Sequence, residues 1–321
     1  MTRTTLEQSV YRDFGYQDSP ATAILNRVRG YLNDRHRRIL TRQGLEKLRM
    51  QTSTLTLTAS TAIYGLDMPI QKLLKVVDTT NDQALEQRSL DWYRRVDPDP
   101  TNGTQEYWIP LRWGPALSDP ATTGLWVVST STSDTTQAVN VETFNSLGSH
   151  TQATATLNGT TRVQIGTATN HTRVVRFAHD AAAAAVGVIE LYDAATAGNR
   201  VSVIHVGRTN AQLLTIALWP TPGAADSLRL DYLHHIRDFS VAYDEPQLPL
   251  DFHYLVAVGA KIDEARKKDD GRVRQWQEEW DEGIAQLENF VNNFTDTLII
   301  PGLAERTGRS NLGGAYPSGI W

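Results

Sequence analysis

Apolar positions change their spacing twice along the chain, and each change marks a change of element. Leu25, Val28, Leu32 and Ile39 recur on one face of an α-helix. Ahead of them, Thr4-Thr5-Leu6-Glu7 fits a capping box with Thr4 as N-cap and Glu7 at the third helical position. Asp18-Ser19-Pro20 offers Ser19 as a second cap and Pro20 as a first helical residue. Past Gly44 the period falls to two: Thr52, Thr54, Thr56 and Thr58 alternate with Ser53, Leu55, Leu57 and Ala59, a strand with one polar face. A turn cluster at residues 78–82 and a short helix at 89–95 follow, the helix stopping at Asp97-Pro98-Asp99-Pro100 because each Pro pushes its predecessor out of the α region. Residues 106–109 and 111–113 read as an aromatic hairpin.

The second change is larger. Residues 122–219 form a Thr/Ala/Gly-rich, charge-poor block with strand-like runs at 125–128, 137–143, 151–157, 161–165, 173–177, 186–192, 201–206 and 213–219. Asn158-Gly159 is a type I′ hairpin signal. Short strands with turns every ten residues or so predict a β-sandwich of immunoglobulin-like kind. Helix resumes near Asp251, with Phe252, Leu255, Val256, Gly259 and Ile262 on one face, and ends at Lys267-Lys268-Asp269-Asp270-Gly271. A second helix carries Val273, Trp276, Trp280, Ile284, Leu287, Val291 and Phe294 at three- and four-residue spacing, a seam for another helix. Phe252, Leu255 and Ile262 are thus expected to pack on Trp276, Trp280, Ile284 and Leu287 in an αα-hairpin.

An amphipathic helix cannot bury its stripe alone, so helices before and after the block are expected to close on each other. The predicted class is α+β. A helical domain (1–121 and 220–300) is split by an inserted sandwich (122–219) and followed by an extended tail (301–321). That tail holds five glycines and two prolines, yet also Tyr316, Ile320 and Trp321, as a segment that orders on a neighbour would.

Composition narrows the chemistry. No cysteine occurs among the 321 residues, which removes disulfides, thiolate catalysis and Cys-based zinc sites. The net charge of -5 opposes a generally basic, nucleic-acid-coating surface. No apolar run is long enough to span a bilayer and the first residues lack an apolar leader core, so a soluble, cytoplasm-made protein without membrane contact is expected. The four Asn-x-Thr triplets, at Asn102, Asn158, Asn170 and Asn293, are then read as coincidences. His234-His235 is a poor metal site, because neighbours on a strand point to opposite faces. Phosphate-loop, nucleophile-elbow and zinc-protease motifs are absent, and no catalytic residue, metal or cofactor is expected. A basic stretch from Arg27 to Arg49 has only Asp34 and Glu46 as acids. Its cations suit DNA phosphates, an acidic protein face, or plain solvent.

Three segments carry a resemblance. They are Tyr64-Gly65-Leu66-Asp67-Met68-Pro69 with Leu73-Leu74-Lys75-Val76-Val77-Asp78, then Leu90-Asp91-Trp92-Tyr93-Arg94-Arg95-Val96-Asp97-Pro98, and Leu248-Pro249-Leu250-Asp251-Phe252-His253-Tyr254-Leu255-Val256. In this order they resemble phage head-to-tail connector proteins of the adaptor type; Leu250 stands where a polar residue is common. The 122–219 block, with Asp134-Thr135-Thr136-Gln137-Ala138-Val139 and Thr156-Leu157-Asn158-Gly159-Thr160-Thr161, looks like the Ig-like insert of long adaptors. The resemblance implies a virion neck protein, assembled in the host cytoplasm, that forms a twelve-fold ring around a DNA channel. Its partners would be the portal protein, a downstream neck or tail protein, and DNA held non-specifically. Tyr316, Ile320 and Trp321 would dock on the portal, while Arg27, Arg35, Arg38, Arg42, Lys267 and Lys268 would supply subunit-interface or channel charge. Alternatives are another neck or tail component, or a surface-binding module that uses the sandwich.

Overall fold

The computed structural model describes residues 1–18, 20–96, 102–120, 124–166, 170–180 and 185–312, with side chains to residue 293. Two units divide the chain: Met1–Arg49 with Val241–Trp321, and Met50–Ser240.

The first unit is helical. Helices α1 (Arg3–Asp13) and α2 (Thr22–Leu40) precede the second unit, whose own short helix is α3 (Leu90–Val96); α4 (Tyr254–Lys268) and α5 (Val273–Leu312) follow it. Leu6, Val10, Val28, Leu32 and Ile39 are buried, as are Leu255, Ile262, Ile284 and Leu287, and α4 packs against α1, α2 and α5. Two glycines let α4 and α5 approach. A Cβ on Gly259 would stand 2.4 Å from Trp280, and one on Gly283 would stand 2.3 Å from Leu255. The N-cap of α1 is Thr2, two residues before the expected Thr4, and Glu7 turns to arginines instead of the helix end. Ser19 lies outside the described residues, and α2 starts at Thr22, past Pro20, without a side-chain cap. The expected extended tail is also corrected over residues 301–312, where α5 runs through Pro301 and Gly302 to Leu312; residues 313–321 lie outside the described residues. Leu303-Ala304-Glu305-Arg306 are strong helix formers and resume the helix after these two breakers.

The second unit corrects the predicted class. Strand (34%) exceeds helix (29%) over the chain, so this is a predominantly β fold and not a helical adaptor domain interrupted by strands. Its main sheet has seven strands in the order β1 (Met50–Thr56), β16 (Ser227–His234), β3 (Ile70–Asp78), β4 (Gln83–Gln87), β6 (Tyr107–Gly114), β14 (Leu213–Trp219) and β2 (Ile63–Gly65). Only the β4–β6 pair in it is parallel. Leu57, Ile70, Val76, Leu85, Ile216, Leu228 and Leu230 fill its core. Residues 50–121 and 220–240, assigned to the helical domain from sequence, belong here. Leu228, Leu230 and Tyr232 point inward while Arg229 and Asp231 occupy the outer face, which makes a charged segment a strand. The expected hairpin at 106–113 is one strand, β6, whose register slips beside Pro110; Pro is tolerated at such a bulge.

The sandwich occupies residues 125–204. One sheet orders β10 (Val163–Ile165), β7 (Leu125–Ser129), β12 (Ile189–Tyr192) and β13 (Arg200–Ile204); the other orders β11 (His171–His179), β8 (Ala138–Asn145) and β9 (His150–Thr156). Val127, Val141, Phe177, Leu191 and Val201 lie in its core. Buried Asp134 ties its turns together, accepting from the Ser129 hydroxyl at 2.5 Å and the Val186 and Gly187 N–H groups at 2.9 Å. Residues 213–219, predicted as its last strand, pair instead with β6 and β2 of the main sheet. A parallel two-residue pair, β5 (Asn102–Gly103) with β15 (Thr221–Pro222), completes the strands.

Burial lowers the His205 pKa to about 4, with Arg208, His234 and Arg200 adding to the shift against the opposing pull of Asp67. The folded pKa lies below the unfolded value, so neutral His205 is compatible with folding above about pH 6.5 and stability is lost as pH falls toward 4. Unfolding in urea at pH 5 should show about 2 kcal/mol less stability from this group than at pH 7. The His205→Gln variant should lose less stability over the same interval; an identical loss would remove His205 as the cause.

Candidate functional site

The helical unit holds the densest set of charged contacts. Glu264, fully buried on α4, accepts from Arg27 Nε at 2.8 Å and Nη2 at 2.7 Å, and from the Tyr16 hydroxyl. Burial would push its carboxyl up, but these donors hold it below its ordinary value. The same contact raises the Arg27 guanidinium. One residue earlier, Asp263 receives a bidentate fork from Arg35, at 2.6 Å from Nε and 2.5 Å from Nη2. Arg35 also stacks on Trp280, 5.0 Å from the ring centroid, and its side chain is only 6% exposed. Lys261 reaches Asp13 at 2.6 Å, and Arg29 reaches Glu7 at 2.8 Å.

These contacts reassign part of the expected interface charge. Carboxylates of α4 hold Arg27 and Arg35 within the helical unit, Arg35 buried and Arg27 partly so, and this leaves little of either charge for another molecule. Arg42 is half-exposed and pairs with Glu288 of α5 at 2.6 Å. The two line a hollow of about 330 Å³ with Gln43, Gly44 and Asn292. Arg38 and Lys267 are exposed. Lys268 is exposed too, with its Nζ 4.1 Å from the Tyr16 ring centroid. Of the helix-pair residues, Leu255, Ile262, Trp276, Trp280, Ile284 and Leu287 are buried, and Phe252 stacks on Phe290 with ring centroids 5.5 Å apart. Tyr316, Ile320 and Trp321 lie outside the described residues.

Sequence reasoning passed over two groups. The first is a cluster at the α4–α5 turn: Phe14 stacks on Trp276 at 5.3 Å, with Lys268 and Arg272 over the Phe14 ring. Arg272 also binds Asp270 and holds its carboxyl down, to about 2. The run Phe14-Gly15-Tyr16 beside a Lys/Arg-rich turn was its only signal. The second group is in the β unit, where Trp113 is 50% exposed at the end of β6. It lines a hollow with Val175, Arg176, Asn210 and Gln212, and Val175 sits where β11 bulges. Among the described residues no cluster of His, Asp and Glu could hold a metal ion.

The site is therefore a scaffold of charge pairs that fixes helices from distant parts of the chain, with Arg38, Lys267 and Lys268 on its surface. Removing one partner of a buried pair leaves the other uncompensated. Asp263→Ala should cost about 3 kcal/mol in urea unfolding, and adding Arg35→Met should recover part of that loss. A single variant within experimental error of the parent would mean that the fork contributes nothing. Comparison with protein-family models gives no match, and comparison with curated proteins gives none.

Proposed function

We propose that the chain is a structural part of a phage neck: a head-to-tail connector that assembles into a ring, passes DNA through its lumen, and docks on the portal through its C-terminal residues. No catalytic step, metal or cofactor belongs to this reading. One observation carries it. Helices from both ends of the chain are locked by buried charge pairs into one helical unit, and α5 then runs on as helix from buried Val291 to Leu312. At 1.5 Å per residue that extension is about 30 Å, enough to reach a neighbouring molecule. The order of the resembling segments supports the same reading. Of the cations named for this role, Arg38, Lys267 and Lys268 are exposed and suit DNA phosphate or an acidic protein face.

A second reading, a surface-binding module, has the half-exposed Trp113 and its hollow in its favour, since aromatic residues are enriched at recognition surfaces.

Ring assembly is directly measurable. Sedimentation velocity and negative-stain microscopy at high protein concentration should show closed rings with a central lumen. A fixed small dimer in every condition would sink the reading. Deleting residues 313–321 should preserve the rings and the circular dichroism spectrum but abolish binding to the portal protein of the same virus.

A further inference from the structure

Two strand edges of the β unit are open, and they match. β1 pairs with β16 over seven residues without a slip in register. Just past it, the Leu57 N–H donates to the Asp226 carbonyl at 2.7 Å. Antiparallel bonding alternates, so Gln51, Ser53 and Leu55 exchange bonds with β16 while Met50, Thr52, Thr54 and Thr56 turn their N–H and C=O groups away. On β9 the bonds from Asn145 N–H to Ser149 C=O and from Leu157 N–H to Gln137 C=O, both 3.0 Å, fix the same alternation. His150, Gln152, Thr154 and Thr156 therefore turn their backbone groups away from β8. Among the described residues none of these eight outward sets has a backbone partner.

Natural sheets guard such edges with charge, proline, bulges or shortness. The other outer strands of the sheets do so: β2 and β10 have three residues each, and β11 breaks register twice and carries Arg173 and Arg176. β13 is only five residues long. β1 and β9 have seven residues each, no bulge, no Pro or Gly, and no Lys, Arg, Asp or Glu. Their outward rows are exposed, while the other rows (Ser53 and Leu55 on β1; Thr151, Ala153 and Ala155 on β9) are half-buried. Leu55 rims the main-sheet core, and Ala153 and Ala155 rim the sandwich core.

We propose that β1 of one copy pairs antiparallel with β9 of the next copy. Met50 stands opposite Thr156, Thr52 opposite Thr154, Thr54 opposite Gln152, and Thr56 opposite His150. This register uses all the outward backbone groups and brings the two half-buried rows together on one side, so two unfinished apolar rims complete each other. Thr pairs across strands are already used within the chain, where the Thr143 and Thr151 hydroxyls lie 2.9 Å apart. Joining two different edges is a head-to-tail contact, which propagates from copy to copy and gives a ring where its rotation closes; pairing β1 with another β1 would stop at a dimer. The inference rests on the ring reading above and names the surface that builds the ring.

The cysteine-free chain permits a clean test. Opposed residues of a bonded antiparallel pair have Cα atoms about 5.5 Å apart, within disulfide range. Oxidised Thr52→Cys/Thr154→Cys protein should give a ladder of covalent oligomers on a non-reducing gel, and either single variant should give none. Thr54→Pro removes an outward N–H and spares the bonds to β16. It should leave the melting temperature nearly unchanged and raise the concentration needed for assembly at least tenfold. Ser53→Pro, which removes an inward N–H, should instead lower the melting temperature. Absence of the ladder, a covalent dimer from Thr52→Cys alone, or undiminished assembly of Thr54→Pro overturns the pairing and leaves the neck reading standing. A parent chain that never assembles overturns both.

Discussion

The bidentate contact of Arg35 with Asp263 joins residues 228 positions apart, and the helical unit depends on it and on its neighbour, Arg27 with Glu264. A buried ion pair adds little net stability, because desolvation offsets most of the attraction. Its contribution here is register. The planar guanidinium accepts few geometries, so α2 can meet α4 at one rotation and one height. Trp280 then closes over Arg35, in a space that exists only because residue 259 has no side chain. Apolar stripes alone would allow the helices to slide by a turn; the charge pairs remove that freedom.

The helices were legible in the sequence because their apolar spacing is regular, and α4 and α5 fall where the seam residues put them. The role of the arginines was not legible from charge alone, since a solvated face and a buried pair share the same composition. A signal was nonetheless present. Arg35 lies on the stripe of Val28, Leu32 and Ile39, and Asp263 and Glu264 directly follow buried Ile262. A charge at an apolar position implies a buried partner. For the β unit, charges at Lys72, Lys75, Arg229 and Asp231 masked strands whose inner faces are apolar. The alternation at Leu228, Leu230 and Tyr232 was visible, but proximity to helical segments outweighed it. The partner of β14 was beyond local pattern, because an apolar strand fits either sheet equally well.

Pairing at the base of each insertion explains how a chain so divided stays coherent. The sandwich leaves the main sheet after Gly114 and returns at Leu213, and these two residues face each other in the β6–β14 ladder. The β unit as a whole begins at Met50 and ends near Leu233, and these two also pair, in the β1–β16 ladder. Each guest thus holds together the two chain ends on which its host must build. For the sandwich, the Gly114–Leu213 pair brings the two ends of the insertion together, so the loop-closure cost to the main sheet is small. The arrangement also assigns β1 two roles: its inner side secures the base of the insertion, which leaves only its outer side free to meet another chain.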